Sequence, residues 1–210
     1  MDSAQYDAVS TGLILIDVLN DFLADDGKLN TQIGEMRDKL DLRSQLARLL
    51  EGARGAGVKT FYAPHGLDEH SFDDLKYVHP TFQGGLAHQL FWKGSYGADF
   101  YEPLRPAAGD VVVSRHRMYD SFRGTDLDDL LRENRIEKVV FAGLTSQTCV
   151  EGTGRHALEA GYHVTFLTDA VAEFTEEAHR AAIDISYPRF GHVVSTIDEF
   201  LAGIRQPGLT

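Results

Sequence analysis

The sequence predicts a three-layer α/β/α domain built on a six-stranded, mostly parallel sheet. Three observations carry the prediction. Six short runs rich in β-branched residues recur along the chain, several of them are apolar at every position, and helical patterns fill the intervals between them. Strands that are apolar on both faces belong to sheets covered by helices on both sides, and the order βαβ…βαβαβα is the one that builds such layers.

The elements follow in order. The first strand is GLILIDV (12–18), and the helix after it, 42–57, repeats Leu42, Leu46, Leu49, Leu50 and Ala53 at helical spacing before glycines close it. The second strand is KTFYAP (59–64). A segment of about residues 65 to 109 follows, rich in His, Gly and aromatics and weakly periodic; a loop this long in a compact domain is a lid, a binding loop or an oligomer contact. Then come strand DVVVS (110–114), helix 126–135, strand KVVFAG (138–143), helix 148–161, strand HVTFLTD (163–169), helix 175–186, strand HVVST (192–196) and helix 197–204.

Length and charge bound the function. The 210 residues, 43% of them apolar, suit a single domain spanning 1–210 with one sizeable core. Lys plus Arg is 20 and Asp plus Glu is 32, a net charge of −12, which argues against nucleic acid and against a membrane surface as partners. One cysteine makes no internal disulfide, and acids stand near the N-terminus where a signal peptide carries basic residues, so a cytoplasmic setting is expected.

In parallel α/β sheets ligands gather beyond the carboxyl ends of the strands. Three strands lead chemically interesting residues there: Asp17, Arg115 and, through Gly143, Cys149. Cys149 falls in the first turn of the 148–161 helix, where free backbone N–H groups and the helix dipole favour a thiolate. A lone cysteine at such a junction is either a small buried filler or a nucleophile. Asp17 is either a base or half of an ion pair, and Arg115 either a structural partner or a catalytic cation.

Four ordered blocks carry a resemblance: LILIDVLNDF with its D-x-x-x-D-F pattern, DVVVSRHRMYDSFRGTDLDDLL, VVFAGLTSQTCVEGTGRHALEAGYHV with G-x-x-T-x-x-C-V, and LTDAVAEFTEEAHRAA. On these the chain resembles the isochorismatase-like cysteine hydrolase superfamily, which includes nicotinamidases, N-carbamoylsarcosine amidase and isochorismatase. The resemblance implies a Rossmann-like isochorismatase fold and an Asp–Lys–Cys triad in which Asp17 is the base and Cys149 the nucleophile. Arg115 stands at the end of the third strand where the family has lysine, with one extra residue between it and Phe122. The resemblance also implies a non-proline cis peptide between Thr145 and Ser146, and an oxyanion hole from the backbone at Thr145, Ser146 and Cys149. In the nicotinamidase branch an Asp two residues before a His binds metal; Ala63 stands two before His65 here, so no metal and no other cofactor is expected, with His65 and His70 as the candidate ligands.

Phe22, Trp92, Tyr96, Tyr119 and Phe122 flank the site in sequence and suggest an apolar slot for a planar or ring-bearing substrate, while Arg117 and Arg155 are candidates for reading a carboxylate. The expected activity is hydrolysis of a C–N bond (amide, ureido or cyclic amide) in a small molecule through a Cys thioester. The alternatives are vinyl-ether hydrolysis of the isochorismatase type, a binding protein that has drifted from catalysis because Arg115 replaces lysine, and a redox-sensing thiol. Relatives with this fold imply a homodimer or homotetramer.

Overall fold

The computed structural model describes residues 4–205. Its central sheet is made of β2 (Thr11–Ile16), β3 (Lys59–Ala63), β4 (Val111–Val112), β5 (Lys138–Leu144), β6 (His163–Ala172) and β7 (Val193–Ser195). The order is β4-β3-β2-β5-β6-β7, and every neighbouring pair is parallel. Two further two-residue strands, β1 (Tyr6–Asp7) and β8 (Ile204–Arg205), pair with each other beside the sheet.

Alternation along β2 builds both cores. Leu13 and Leu15 point to one face, where they join Leu42, Leu46 and Leu49 of α3 (Leu42–Gly55) and Ile197 and Phe200 of α9 (Ile197–Ala202). Ile14 and Ile16 point to the other, against Leu127 and Leu131 of α5 (Leu127–Glu133), Ala157 of α6 (Glu151–Glu159) and Tyr187 of α8 (Tyr187–Phe190). Each such aliphatic side chain removed from water stabilises the fold by about 1.5–3 kcal/mol. Among the described residues no helix is long and apolar enough to cross a membrane.

Several elements differ from expectation. The strand expected over 110–114 is regular only at Val111–Val112, yet the chain keeps step with its neighbour: Val113 N–H donates to Tyr62 O (2.9 Å) and His116 N–H to Pro64 O (3.1 Å). The helix expected from 148 begins with a wider π-helical turn, Ser146–Val150, before α6. The helix expected over 175–186 is α7 (Glu176–Ala181), a second π-helical turn (Ala182–Ser186) and then α8, whose first turn accommodates Pro188. Three helices come in addition: α1 (Asn20–Leu23), α2 (Asn30–Lys39) and α4 (Pro80–Ala87). Helix α4 lies inside the 65–109 segment and starts where the His79 ring accepts from Thr81 N–H and Pro80 presets the first turn.

β2 and β5 are adjacent, and the strand order reverses between them, so the crevice at their carboxyl ends is where a ligand site is expected. Gly143, opposite Ile16 in the register, makes the close approach possible: its φ is +115°, and a Cβ there would stand 2.0 Å from Ile16 O.

Candidate active site

Asp17 is the first residue beyond β2. It is fully buried, and its φ of +54° swings the carboxylate out of line with the strand and over the sheet edge. Oδ1 accepts the backbone N–H of His65 (2.7 Å) and the imidazole Nε2–H of His116 (2.9 Å). Oδ2 has no hydrogen-bond partner among the described residues, and the Cys149 thiol lies close enough for the carboxylate to shift its pKa.

The cation beside Asp17 is therefore His116, where Arg115 was expected. Arg115 crosses over Gly66 and donates to two backbone carbonyls, His65 O (2.7 Å) and Ala98 O (2.8 Å), and no ion pair joins it to Asp17 among the described residues. The reason is the alternation of an extended chain: side chains at 115 and 116 leave on opposite sides, and the side that faces Asp17 belongs to His116. His116 also donates from Nδ1 to Met118 O (2.6 Å). A carbonyl and a carboxylate offer only lone pairs, so both ring nitrogens carry hydrogen and the ring is an imidazolium.

Cys149 lies in the Ser146–Val150 turn, which is held from behind by the fourth sequence block and by Tyr187 beyond it. Glu173 Oε2 accepts Gln147 N–H (2.8 Å), His179 Nδ1 hydrogen-bonds Ser146 Oγ (3.1 Å), and Tyr187 Oη–H donates to Ser146 O (3.1 Å). The non-proline cis peptide precedes this turn and joins Leu144 to Thr145, one residue upstream of the expected Thr145–Ser146 bond, directly where β5 ends. Thr145 and Cys149 line the cavity described below, whereas Ser146 is not among its lining residues and its side chain bonds His179. Asp21, the second acid of the D-x-x-x-D-F pattern, is structural: Oδ2 accepts Phe91 N–H (2.6 Å) and Oδ1 accepts Lys28 N–H (3.1 Å), pinning the loop that carries Phe91.

Burial opposes charge at each group, and the neighbours decide the outcome. For Asp17 burial pushes the pKa up, but the charge and hydrogen bond of His116 outweigh it and hold the carboxyl below its ordinary 3.8. For His116 burial pushes down, and Asp17 outweighs it, so its pKa is raised above 6.5. Burial first, and then the Asp17 carboxylate, push the Cys149 thiol well above 9.0. The resting group is thus the thiol, as a triad with Asp17 as the base requires: the pull of the turn toward a thiolate is outweighed by desolvation and an adjacent anion.

These shifts fix the sign of the pH dependence. The stabilising charge on His116 is fully present below about 6.5 and lost as pH rises through its raised folded value; that of Asp17 is present above about 3.8 and lost as pH falls through its lowered one. The groups facing His116 are Asp17, the Met118 carbonyl, Asp120 and the His65 ring, 4.9 Å away and held neutral by burial with its pKa at about 3. Turnover is therefore expected to fall on the alkaline side as His116 deprotonates. In a pH–rate profile His116→Lys moves that limb up by more than about one unit, because lysine titrates near 10.4; a limb that stays put removes His116 from the site.

Cys149 opens into a cavity of about 220 Å³. Phe22 forms part of its wall from the first block, Leu29 from the stretch that follows it, Tyr119 from the second block and Phe174 from the fourth, with Thr145 and Thr148 beside the thiol. The 65–109 segment supplies the rest, including His65, Leu67, Phe82, Leu90 and Phe91. Of the five aromatics expected here, Phe22 and Tyr119 line the cavity and three do not. Trp92 packs outside, against the small cluster of Leu67, Phe72 and Phe82; Tyr96 is 54% exposed and donates to Asp26 (2.9 Å); Phe122 stacks on His156 (4.6 Å between ring centres). Phe82, Phe91 and Phe174 were missed, although the Pro80 helix start and the aromatic spacing in HPTFQGGLAHQLF marked a structured wall.

The candidate carboxylate readers are also elsewhere. Arg117 is held by Asp74 (2.7 Å from Nη2) and by Ser71 O, and Arg155 lies near Glu151 (3.6 Å) and over the Phe190 ring. The two candidate metal ligands diverge: His65 is in the cavity wall, while His70 is exposed and bonded to Asp73 (2.9 Å). Among the described residues no group of three His, Cys, Asp or Glu side chains is placed to hold a metal ion.

A buried acid, a buried cation and a thiol meeting at the switch point of a parallel sheet define a hydrolase site of the cysteine type. Residues 11–198 match the Isochorismatase domain, and the chain belongs to the isochorismatase family. It is 26% identical to the ureidoacrylate amidohydrolase RutB of Rhizobium rhizogenes over 95% of this chain and 85% of that protein. The fold matches the cysteine hydrolase from Pseudomonas syringae pv. phaseolicola 1448A with a TM-score of 0.79 at 24% identity, over 94% of this chain and 93% of the other. The pyrazinamidase/nicotinamidase from Streptococcus mutans UA159 is similar at 29% identity and a TM-score of 0.69, over 88% of this chain and 99% of that one.

Proposed function

We propose that this protein hydrolyses a C–N bond of a small carboxamide through a thioester on Cys149. One observation carries the reading: the buried Asp17 carboxylate is bound by an imidazolium on one oxygen and has the chain's only thiol as a neighbour, and that thiol lines a mostly apolar cavity. The amidohydrolase and nicotinamidase activities named for similar proteins support the same reaction class.

The charges allow the proton to move without cost in net charge. At rest the triad is Asp17⁻, His116⁺ and a neutral thiol; after transfer it is a neutral Asp17, His116⁺ and a thiolate, so the buried cluster stays neutral overall and His116 keeps its charge beside the new anion. Sulfur bonds to the amide carbon as its proton passes to Asp17. The carbonyl oxygen gathers negative charge toward the backbone N–H groups at Thr145 and Cys149, an arrangement that contributes about 3 kcal/mol per donor in such sites. The C–N bond breaks as Asp17 returns the proton to nitrogen. Water then gives a proton to Asp17 and attacks the thioester; the C–S bond breaks, and the departing sulfur takes that proton back.

His116 answers the argument for a protein drifted from catalysis, since the cation that Arg115 does not supply is present one residue later. The test is to incubate the protein with primary carboxamides near neutral pH and measure ammonia and acid. Equal yields, proportional to enzyme, are expected; no hydrolysis of any amide above the uncatalysed rate would overturn the reading.

A further inference from the structure

We infer that the substrate is uncharged and apolar on its acyl side: an aromatic or short aliphatic carboxamide without a carboxylate. This rests on the hydrolase reading above and adds the substrate class. The cavity wall has no charged side chain. Its polar members are Thr81, the hydroxyl-bearing Tyr119, the Cys149 thiol, Thr145 and Thr148, which hydrogen-bond each other (2.5 Å), and the neutral ring of His65. The imidazolium of His116 is buried beneath and bonded at both nitrogens, so it offers no free donor to a substrate anion.

Five cations of the flanking segments are engaged elsewhere. Arg115 is on two carbonyls, Arg117 on Asp74, Arg155 near Glu151, Lys28 on His88 O and Gln89 O, and Lys93 on Asp68. A substrate carboxylate placed against Phe22, Phe82, Phe91 and Leu90 would lose its hydration and gain no cationic partner from the wall, which is costly for an ion, whereas the same surface favours a ring or alkyl chain. The volume agrees. About 220 Å³, against the roughly 150 Å³ of a cavity that accepts benzene, leaves room for one ring or a short chain together with the carboxamide. Phe22 and Phe91 are tilted at 44° with ring centres 4.8 Å apart, and Phe91 and His65 lie 4.9 Å apart, so flat faces line one side.

Two measurements test this, and they separate its failure from that of the hydrolase reading. In the first, kcat/KM is measured for benzamide and pentanamide against succinamate and 3-ureidoacrylate. The neutral amides are expected to exceed the anionic ones by at least about 100-fold; parity, or preference for the acids, overturns the inference while leaving an amidase standing. In the second, Cys149 is alkylated with iodoacetamide and with iodoacetate and read by intact mass. The ratio of the two rates is expected to exceed that for free glutathione by at least about tenfold, and a ratio equal to that of glutathione overturns the inference even if no amide is turned over.

Discussion

Cys149→Ala is expected to lower kcat/KM toward any accepted carboxamide by at least about 10⁴-fold, with the protein still folded. The size of the effect follows from the role: removing a nucleophile removes the only path through the thioester, and what remains is binding and oxyanion stabilisation, as in other triad enzymes stripped of their nucleophile. The fold should tolerate the change. The lost volume is one sulfur at a residue bordering an existing cavity, so the destabilisation is about 1 kcal/mol, and the Ser146–Val150 turn keeps its ties to Glu173, His179 and Tyr187. Initial rates and a thermal melt on the same preparation check both halves. Retention of full amidase activity would contradict a thioester path and leave Asp17 acting without the thiol.

Asp17→Asn is expected to cost about 10³- to 10⁴-fold in kcat/KM, the usual contribution of a positioned general base. Asparagine is the informative choice because it tolerates the positive φ of +54° that most residues resist. Its Oδ1 can still accept the His65 N–H and its amide can donate to a neutral His116 Nε2, so the hydrogen bonds survive while the base and the reason for the imidazolium disappear. Two readouts therefore move together: turnover falls, and the His116 ring, followed by its carbon-bound protons in NMR, titrates at lower pH than in the unaltered protein. A loss of activity with the His116 titration unchanged would mean that the carboxylate does not hold that ring charged.

Much of this was legible in the residues because it depends on local pattern. Continuous apolar strands alternating with helices dictate a covered parallel sheet, and a parallel sheet puts the residues that follow its strands, Asp17 and Cys149 among them, on one edge; that β2 and β5 are neighbours came from the structure. The cation was misplaced by one position for a physical reason. A strand end read from β-branched residues gives the point where the sheet stops, whereas the side chain that faces the crevice is set by the parity of the extended chain beyond it, and β4 runs on irregularly to His116. The extra residue between Arg115 and Phe122 was the trace of that shift. The cavity wall was less legible, since Leu67, Phe82 and Phe91 converge only through tertiary packing of a long segment, held in place by Asp21 and by α4. The pull of the helix start on the thiol was legible, but the burial that outweighs it is a property of the whole fold.

The covalent step is open to direct observation. The p-nitrophenyl ester of an apolar acid accepted as its amide acylates quickly, so that hydrolysis of the acyl-enzyme limits turnover. Mixed with the protein, it is expected to release a burst of about one equivalent of p-nitrophenol per active site, and acid-quenched protein should gain the mass of the acyl group at Cys149. Linear release from the first turnover with no acylated protein, or an acyl group mapped to another residue, would contradict a thioester on Cys149.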